Sequence, residues 1–249
     1  MQQKNWEHGH FTIHEFEELG STNSYAFEMA SAHQIFDHEV ILANSQNSGK
    51  GRKDRDWISP KGNLYFSVVL KANIPSNQAF QISFLGITAL HLAISKLEQK
   101  DSHNVIQSKW PNDLLINGKK VAGILLESKI DNNNCEFVVA GIGLNVDSNP
   151  ENTLFPATNL KECNIDVSPQ QIVKNILDEF EALYQNWLSF GFAGIRKLWL
   201  QNPYRLGEEI NVAFDEKTLC GIFQGLDVDG NLLLKTDDAV MTITTADIL

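Results

Sequence analysis

Residues 109–127 read Lys109-Trp110-Pro111-Asn112-Asp113-Leu114-Leu115-Ile116-Asn117-Gly118-Lys119-Lys120-Val121-Ala122-Gly123-Ile124-Leu125-Leu126-Glu127. Two apolar runs, Asp113 to Ile116 and Val121 to Glu127, flank the pair Asn117-Gly118. Both members of that pair tolerate the positive φ that a two-residue hairpin turn demands, so the segment predicts two paired antiparallel strands. Pro111 has no N–H to give to a ladder and marks a strand start or an edge. Lys109, Asn112, Asp113 and Lys120 border strands that must be buried, where an unpaired charge is costly. A Trp core with a solvated hairpin and a ligand site at the strand ends both satisfy that pattern.

Working outward, Val105 to Lys109, Phe137 to Gly141, Phe11 to Phe16, Glu39 to Ala43 and Leu64 to Lys71 read as further strands. A helix is expected after Ser21-Thr22-Asn23, whose short polar side chains cap free N–H groups. Gln78 to Leu97 reads as a second helix, with Phe80, Phe84, Ile87, Leu90 and Ile94 on a broad buried face. A third begins at the capping box Ser168-Pro169-Gln170-Gln171, carries the stripe Val173, Ile176, Phe180, Leu183, Trp187, and ends at Gly191. After Asn202-Pro203 the pattern turns to short strands: Glu209 to Phe214, Cys220 to Gln224, Asn231 to Lys235 and Met241 to Thr244, with a tight turn at Asp229-Gly230. A large domain of residues 1–201 and a barrel-like domain of residues 202–249 are expected, the second too small to be very stable without docking on the first.

Between two of the strands lies Gln46-Asn47-Ser48-Gly49-Lys50-Gly51-Arg52-Lys53-Asp54-Arg55-Asp56-Trp57, four cations against two anions in a 249-residue chain of net charge −11. So acidic a chain repels phosphate backbones, which disfavours general nucleic-acid binding and makes this segment a seat for one small anion. It lacks the spacing of a P-loop. Its glycines let N–H groups approach ligand oxygens, its guanidinium groups can fork onto carboxylate or phosphate, and Trp57 offers a face to a purine. Gly141-Ile142-Gly143-Leu144-Asn145 permits close approach of a ligand to a strand end. No GxGxxG follows it, so a dinucleotide fold is unsupported. The content of 43% hydrophobic and 20% charged residues suits a globular enzyme. The apolar runs are read as too short to span a bilayer, and the polar start, MQQKNWEHGH, is no secretory signal. Three dispersed cysteines without a CxxC pair suggest reduced thiols in the cytoplasm. His8-x-His10 has no third ligand nearby, so no metal site built by the protein is expected.

Taken in order, Ser21-Thr22-Asn23, the 48–57 loop, the 109–113 and 119–127 segments and Gly141 to Asn145 resemble the biotin protein ligase family across residues 10–146. The lysine seven residues after Asp113, combined with a GRGR-like loop, is the most specific part of the likeness. The resemblance implies an α+β fold: a mixed sheet flanked by helices, related to class II aminoacyl-tRNA synthetases, with a small SH3-like β domain after it. It also implies the activity. Biotin is activated by ATP to biotinyl-5′-AMP and passed to a lysine of a biotin carboxyl carrier domain, with Mg²⁺ accompanying the nucleotide.

Residue by residue, the resemblance assigns Ser21, Thr22, Asn23 and Gln46 to biotin. Lys50, Gly51 and Arg52 match the loop that folds over biotinyl-adenylate. Arg55, Trp57, Lys109, Asn112 and Asn145 fall to the nucleotide, Trp57 framing its adenine. Lys120 matches the lysine that neutralises the reacting carboxylate and α-phosphate, and Asp113 the aspartate near the acceptor amine. Lys120, Arg52 and Asp113 are the expected catalytic set. Two positions depart from the family: Lys50 stands where Arg is frequent, and Asp54 where Gly is frequent. Asp54 is expected to pair with Arg52 or Lys53. Only 20 residues precede Ser21, so a ligase without a DNA-binding domain is expected. Neither a monomer nor a homodimer is favoured, and no membrane partner is expected. Two rivals are weighed, a lipoate-type ligase of the same fold and a non-catalytic sensor of biotin or its adenylate. The arginine pair and glycine triplet of the first are absent, and the second has no need of Lys120 and Arg52.

Overall fold

The hairpin forms at Asn117-Gly118, with φ of 52° and 73°, joining β6 (Asp113–Ile116) to β7 (Lys119–Asp131). This computed structural model describes residues 3–71, 74–99, 103–151, 153, 155–214 and 217–248. β1 (Gln3–His8), β2 (Phe11–Phe16), β3 (Glu39–Ala43), β4 (Leu64–Leu70), β5 (Ile106–Lys109) and β8 (Asn134–Leu144) join β6 and β7 in an eight-stranded sheet ordered β1-β2-β3-β4-β8-β7-β6-β5. Only β2 and β3 pair in parallel, so the sheet is mixed. β7 and β8 run past the apolar stretches that announced them, because their polar far ends are held by backbone pairing up to the Asn132-Asn133 turn. β1 has no apolar pattern to betray it; it is a mostly exposed edge strand.

Alternate side chains of the strands go to opposite faces, and both faces are covered. Ile41, Ala43, Val69 and Val139 meet α1 (Thr22–Ser31) through Ala26 and Ala30. Val40, Leu42, Phe66 and Val68 belong to the larger core with α2 (Gln81–Ser95) and α3 (Pro169–Phe190). Ser21 caps α1 by accepting from the Ser24 N–H, and Ser168 caps α3 by accepting from the Gln171 N–H. The stretch Ser76–Ser95 is long and apolar enough by composition to cross a membrane, a property it shares with the core helices of globular proteins. Of its most apolar 18-residue window, 72% is buried within the protein, as in a core helix.

A short α4 (Ala193–Trp199), not read from the sequence, leads to the second sheet. That sheet is antiparallel and five-stranded: β9 (Glu209–Phe214), β10 (Lys217–Leu226), β11 (Leu232–Lys235), β12 (Val240–Ile243) and β13 (Asp247–Ile248), ordered β12-β11-β10-β9-β13. It is the small SH3-like domain. Its Phe223, Leu226, Leu232 and Leu234 join the same apolar cluster as α2 and α3. The Asp229-Gly230 turn is built by the Asp227 carboxylate, which accepts the N–H groups of Asp229, Gly230 and Asn231, each at 2.9 Å. Gly230 adopts φ +100° and packs so closely that a Cβ would lie 3.0 Å from Phe84 and 3.2 Å from Phe192. Its carbonyl accepts the indole N–H of Trp110 at 3.1 Å.

Candidate active site

A cavity of about 560 Å³ opens over β7, β8 and the 44–63 connection, and every candidate site residue named from the sequence lines it. Its floor is made of glycines. Gly123 and Gly143 face each other across β7 and β8, and Gly141 stands two residues before Gly143 on the same face. Their bareness admits protein side chains. A Cβ on Gly141 would sit 2.1 Å from Asn23 Oδ1, and one on Gly143 2.5 Å from Trp57 Cε2. Asn23 and Trp57 therefore lie flat on the sheet and wall the cavity.

At the Asn23 end Ser21, Thr22, Asn23 and Ser67 are neutral and buried, with the half-buried Glu127 carboxylate behind them. Asn23 donates to Glu127 Oε2 at 2.7 Å, and Ser67 Oγ lies 2.9 Å from both Asn23 Oδ1 and Thr22 Oγ1. Gln46 Oε1 accepts the Thr22 N–H at 2.8 Å while its amide donates to Ser59 Oγ at 2.9 Å. The start of α1 thus presents Ser21, Thr22 and Asn23 as one fixed polar corner.

At the Trp57 end the groups are charged. Lys120 Nζ lies 2.7 Å from Asp113 Oδ1 and 5.1 Å from the centre of a Trp57 ring. Asp113 Oδ1 and Trp57 Nε1 are buried, and neither has a well-aligned hydrogen bond among the described residues. Lys109, buried, stands 3.3 Å over the Phe155 ring. Burial pushes its pKa down to about 8, Asp113 pulling it up and the Lys120 charge pushing it further down. Asn112 braces the middle of β7 by donating to the Ile124 carbonyl, and its Oδ1 accepts from Arg52 at 3.2 Å. Asn145 lines the cavity but spends its amide on the Thr158 carbonyl at 3.0 Å.

The basic loop turns tightly, the Gly51 N–H reaching the Arg55 carbonyl at 2.6 Å. Lys53 and Asp54 at its tip have φ of 54° and 55°. The expected pairing of Asp54 with Arg52 or Lys53 is replaced by another. Arg52, Lys53 and Arg55 all reach Asp247, at 3.3, 3.3 and 3.0 Å. Lys50 lines the cavity from an exposed position. Asp247, Phe155, Ser67 and Glu127 went unnoticed in the sequence. Ser67 and Glu127 sit inside plain strand patterns, and Asp247 lies 192 residues from Arg55 with no motif around it.

Residues 16–145 match the biotin/lipoate A/B protein ligase family, and residues 206–249 match the biotin protein ligase C-terminal domain. The chain belongs to the biotin protein ligase family. Among its relatives is the bifunctional ligase/repressor BirA of Bacillus subtilis, 32% identical over 238 residues, covering 92% of this chain and 71% of that one. The biotin–[acetyl-CoA-carboxylase] ligase of Paracoccus denitrificans is also 32% identical, over 234 residues, covering 92% and 96%. The biotin protein ligase of Aquifex aeolicus, solved in complex with biotin and ATP, shares the fold with a TM-score of 0.77 at 24% identity, covering 95% of this chain and 97% of that one. In this biotin protein ligase the family's loop motif reads Gly49-Lys50-Gly51-Arg52, and both matched regions contribute residues to the one cavity.

Proposed function

We propose that this chain activates biotin with ATP to biotinyl-5′-AMP and transfers the biotinyl group to a lysine of a biotin carboxyl carrier protein. The observation that carries this reading is the two-ended cavity. Asn23 and Trp57 rest on Gly141 and Gly143, about 7 Å apart along one strand. A neutral polar corner for a urea-like head therefore lies within one small molecule's length of a cluster of Lys109, Lys120 and Arg52.

In the first step a biotin carboxylate oxygen attacks the α-phosphorus of ATP and pyrophosphate leaves. Two anions must meet, and Lys120 and Arg52 offset their repulsion and the charge of the transition state. Lys109 and Arg55 serve the phosphates, and Trp57 the adenine. In the second step the acceptor amine attacks the carbonyl carbon of the mixed anhydride and AMP leaves. Asp113 takes the amine's proton, freed for that role when Lys120 turns to the AMP phosphate. Mg²⁺ would ride on the triphosphate and neutralise its charge. Three free cysteines, two of them buried, support a cytoplasmic setting. We draw the domain boundary at residue 202.

The test is incubation with biotin, ATP and Mg²⁺ followed by mass spectrometry. The wild type is expected to yield biotinyl-AMP, and Lys120→Ala to lose at least about a hundredfold in rate, the usual cost of removing one transition-state electrostatic partner. Lipoyl-AMP formed in preference from lipoate would favour the lipoate-type reading. Biotin binding with no adenylate would favour the sensor.

A further inference from the structure

The last described strand of the small domain reaches back into the large domain's site. Ala246 and Ile248 are buried, and Asp247 and Ile248 pair with Ala213 and Val212 of β9. Its two buried neighbours and the pairing with β9 fix the backbone at Asp247. Arg52 Nη1, Lys53 Nζ and Arg55 Nη2 come to its carboxylate, and Arg52 Nη2 donates to the Ala246 carbonyl at 3.4 Å.

Three of the loop's four cations therefore converge on one carboxylate. Each repels the other two, and at separations this small the repulsion is large unless an anion sits between them. The backbone adds to this, since Lys53 and Asp54 occupy consecutive left-handed conformations that residues with side chains seldom adopt unsupported. Like charges alone would push such a loop away from the cavity. Asp247 supplies the hold.

We propose that Asp247 is a positioning residue for the ligase reaction, a fixed intramolecular counter-anion that draws the 48–57 loop down over the cavity and keeps it shut around the acyl-adenylate. The proposal rests on the biotin-activating reading given above. Asp247 touches no reacting atom and acts through Arg52, Lys53 and Arg55. Removing its charge frees the loop cations, so capture of ATP is retained while escape of the intermediate rises. A general folding defect would lower both together.

The loop carries its own reporter, because trypsin cuts after Lys50, Arg52, Lys53 and Arg55. Full-length wild type, Asp247→Asn and Asp247→Glu are digested without any ligand, and then assayed for biotin incorporated into albumin per biotinyl-AMP formed. Asp247→Asn is expected to be cut in the loop roughly three- to tenfold faster, the range for losing a partly exposed ion-pair network, with Tm and cleavage elsewhere unchanged. Albumin labelling per adenylate should rise by a similar factor, the KM for ATP should not rise, and Asp247→Glu should restore both readouts. Loop cleavage at the wild-type rate, or unchanged albumin labelling with adenylate still made, overturns the proposal. If Asp247→Asn does not fold, Asp247→Ser, which removes the carboxylate and leaves every loop cation and trypsin site in place, is digested and assayed instead, and the same outcomes decide. If the wild type makes no biotinyl-AMP, the functional reading fails, and the ligand-free digestion still decides whether Asp247 holds the loop.

Discussion

Replacing Gly143 with Ala tests whether the floor of the cavity sets its nucleotide end. The new Cβ would lie 2.5, 2.6 and 2.8 Å from Cε2, Nε1 and Cζ2 of Trp57. Ordinary contact between such atoms starts near 3.5 Å, so the ring must retreat by about 1 Å. It cannot do so by moving its backbone, because the Trp57 N–H is bonded to the Gly49 carbonyl at 2.9 Å and its carbonyl accepts from Ser59 at 2.8 Å. The side chain must swing up into the cavity. Overpacking of this kind costs about 1–3 kcal/mol. If that cost falls on nucleotide binding, the KM for ATP rises roughly five- to 150-fold, at about 1.4 kcal/mol per factor of ten. The biotin end is seated on Gly141, so the KM for biotin should stay within about twofold of wild type. Pyrophosphate release with each substrate titrated in turn reads both constants. Gly141→Ala should give the opposite pattern, since its Cβ meets Asn23. An unchanged KM for ATP in a folded Gly143→Ala protein, or equal losses for both substrates, would refute the two-ended cavity.

Two further outcomes concern pH. The Lys109 pKa of about 8 lies below its unfolded value, so the ammonium is charged at neutral pH and lost as pH rises through 8. The kcat/KM for ATP should therefore fall above pH 8, and Lys109→Arg, which keeps its charge, should flatten that limb. Over the same range the unfolded chain holds the proton longer than the folded one, so the ligand-free protein gains stability between pH 8 and the ordinary lysine value. His38 behaves in the opposite sense. A hydrogen bond donated by its ring to the Asp37 carboxylate raises its pKa against burial, and Glu181 on α3 adds to the rise, with the ring nitrogens 3.0 and 3.2 Å from the two carboxylates. Its stabilisation is complete below the unfolded histidine value near 6.5 and is lost as pH climbs through the raised folded value. The Tm advantage of wild type over His38→Asn, a residue that accepts the φ of 61° there, should shrink as pH rises above the ordinary histidine value. An advantage that does not change with pH would remove His38 from this role.

The parts of the fold that were legible in the sequence are those where local chemistry and burial agree. Asn117-Gly118 fixed a hairpin because few dipeptides accept two positive φ values. Ser168 and Gly191 bracketed α3 because a cap and a stop each leave a residue-specific mark. β1 was hidden because an edge strand that buries little needs no apolar alternation, and α4 because seven residues give too short a period to read. In the site, motifs marked the residues of the large domain, and all of them line one cavity. Their partners were not legible. The Ser67 and Glu127 contacts depend on which strands lie side by side, and the convergence of three cations on Asp247 depends on how the second domain docks. Charge alone suggested Asp54 as the loop's counter-ion, yet the turn aims Arg52 and Lys53 elsewhere.

The hydrogen bond from Trp110 to the Gly230 carbonyl bears on how freely such domains can be exchanged between relatives. Trp110 sits inside the segment most specific to the family, so its neighbours are constrained by the cavity, while its indole is constrained by a turn in the other domain. A transplanted C-terminal domain must bring a turn that presents its carbonyl at the same place, no bulkier than glycine against Phe84 and Phe192. It must also carry a carboxylate where Asp247 stands. A graft that meets only the first condition would dock and still leave the loop unheld, giving a chimaera that is well folded but careless with its reactive product.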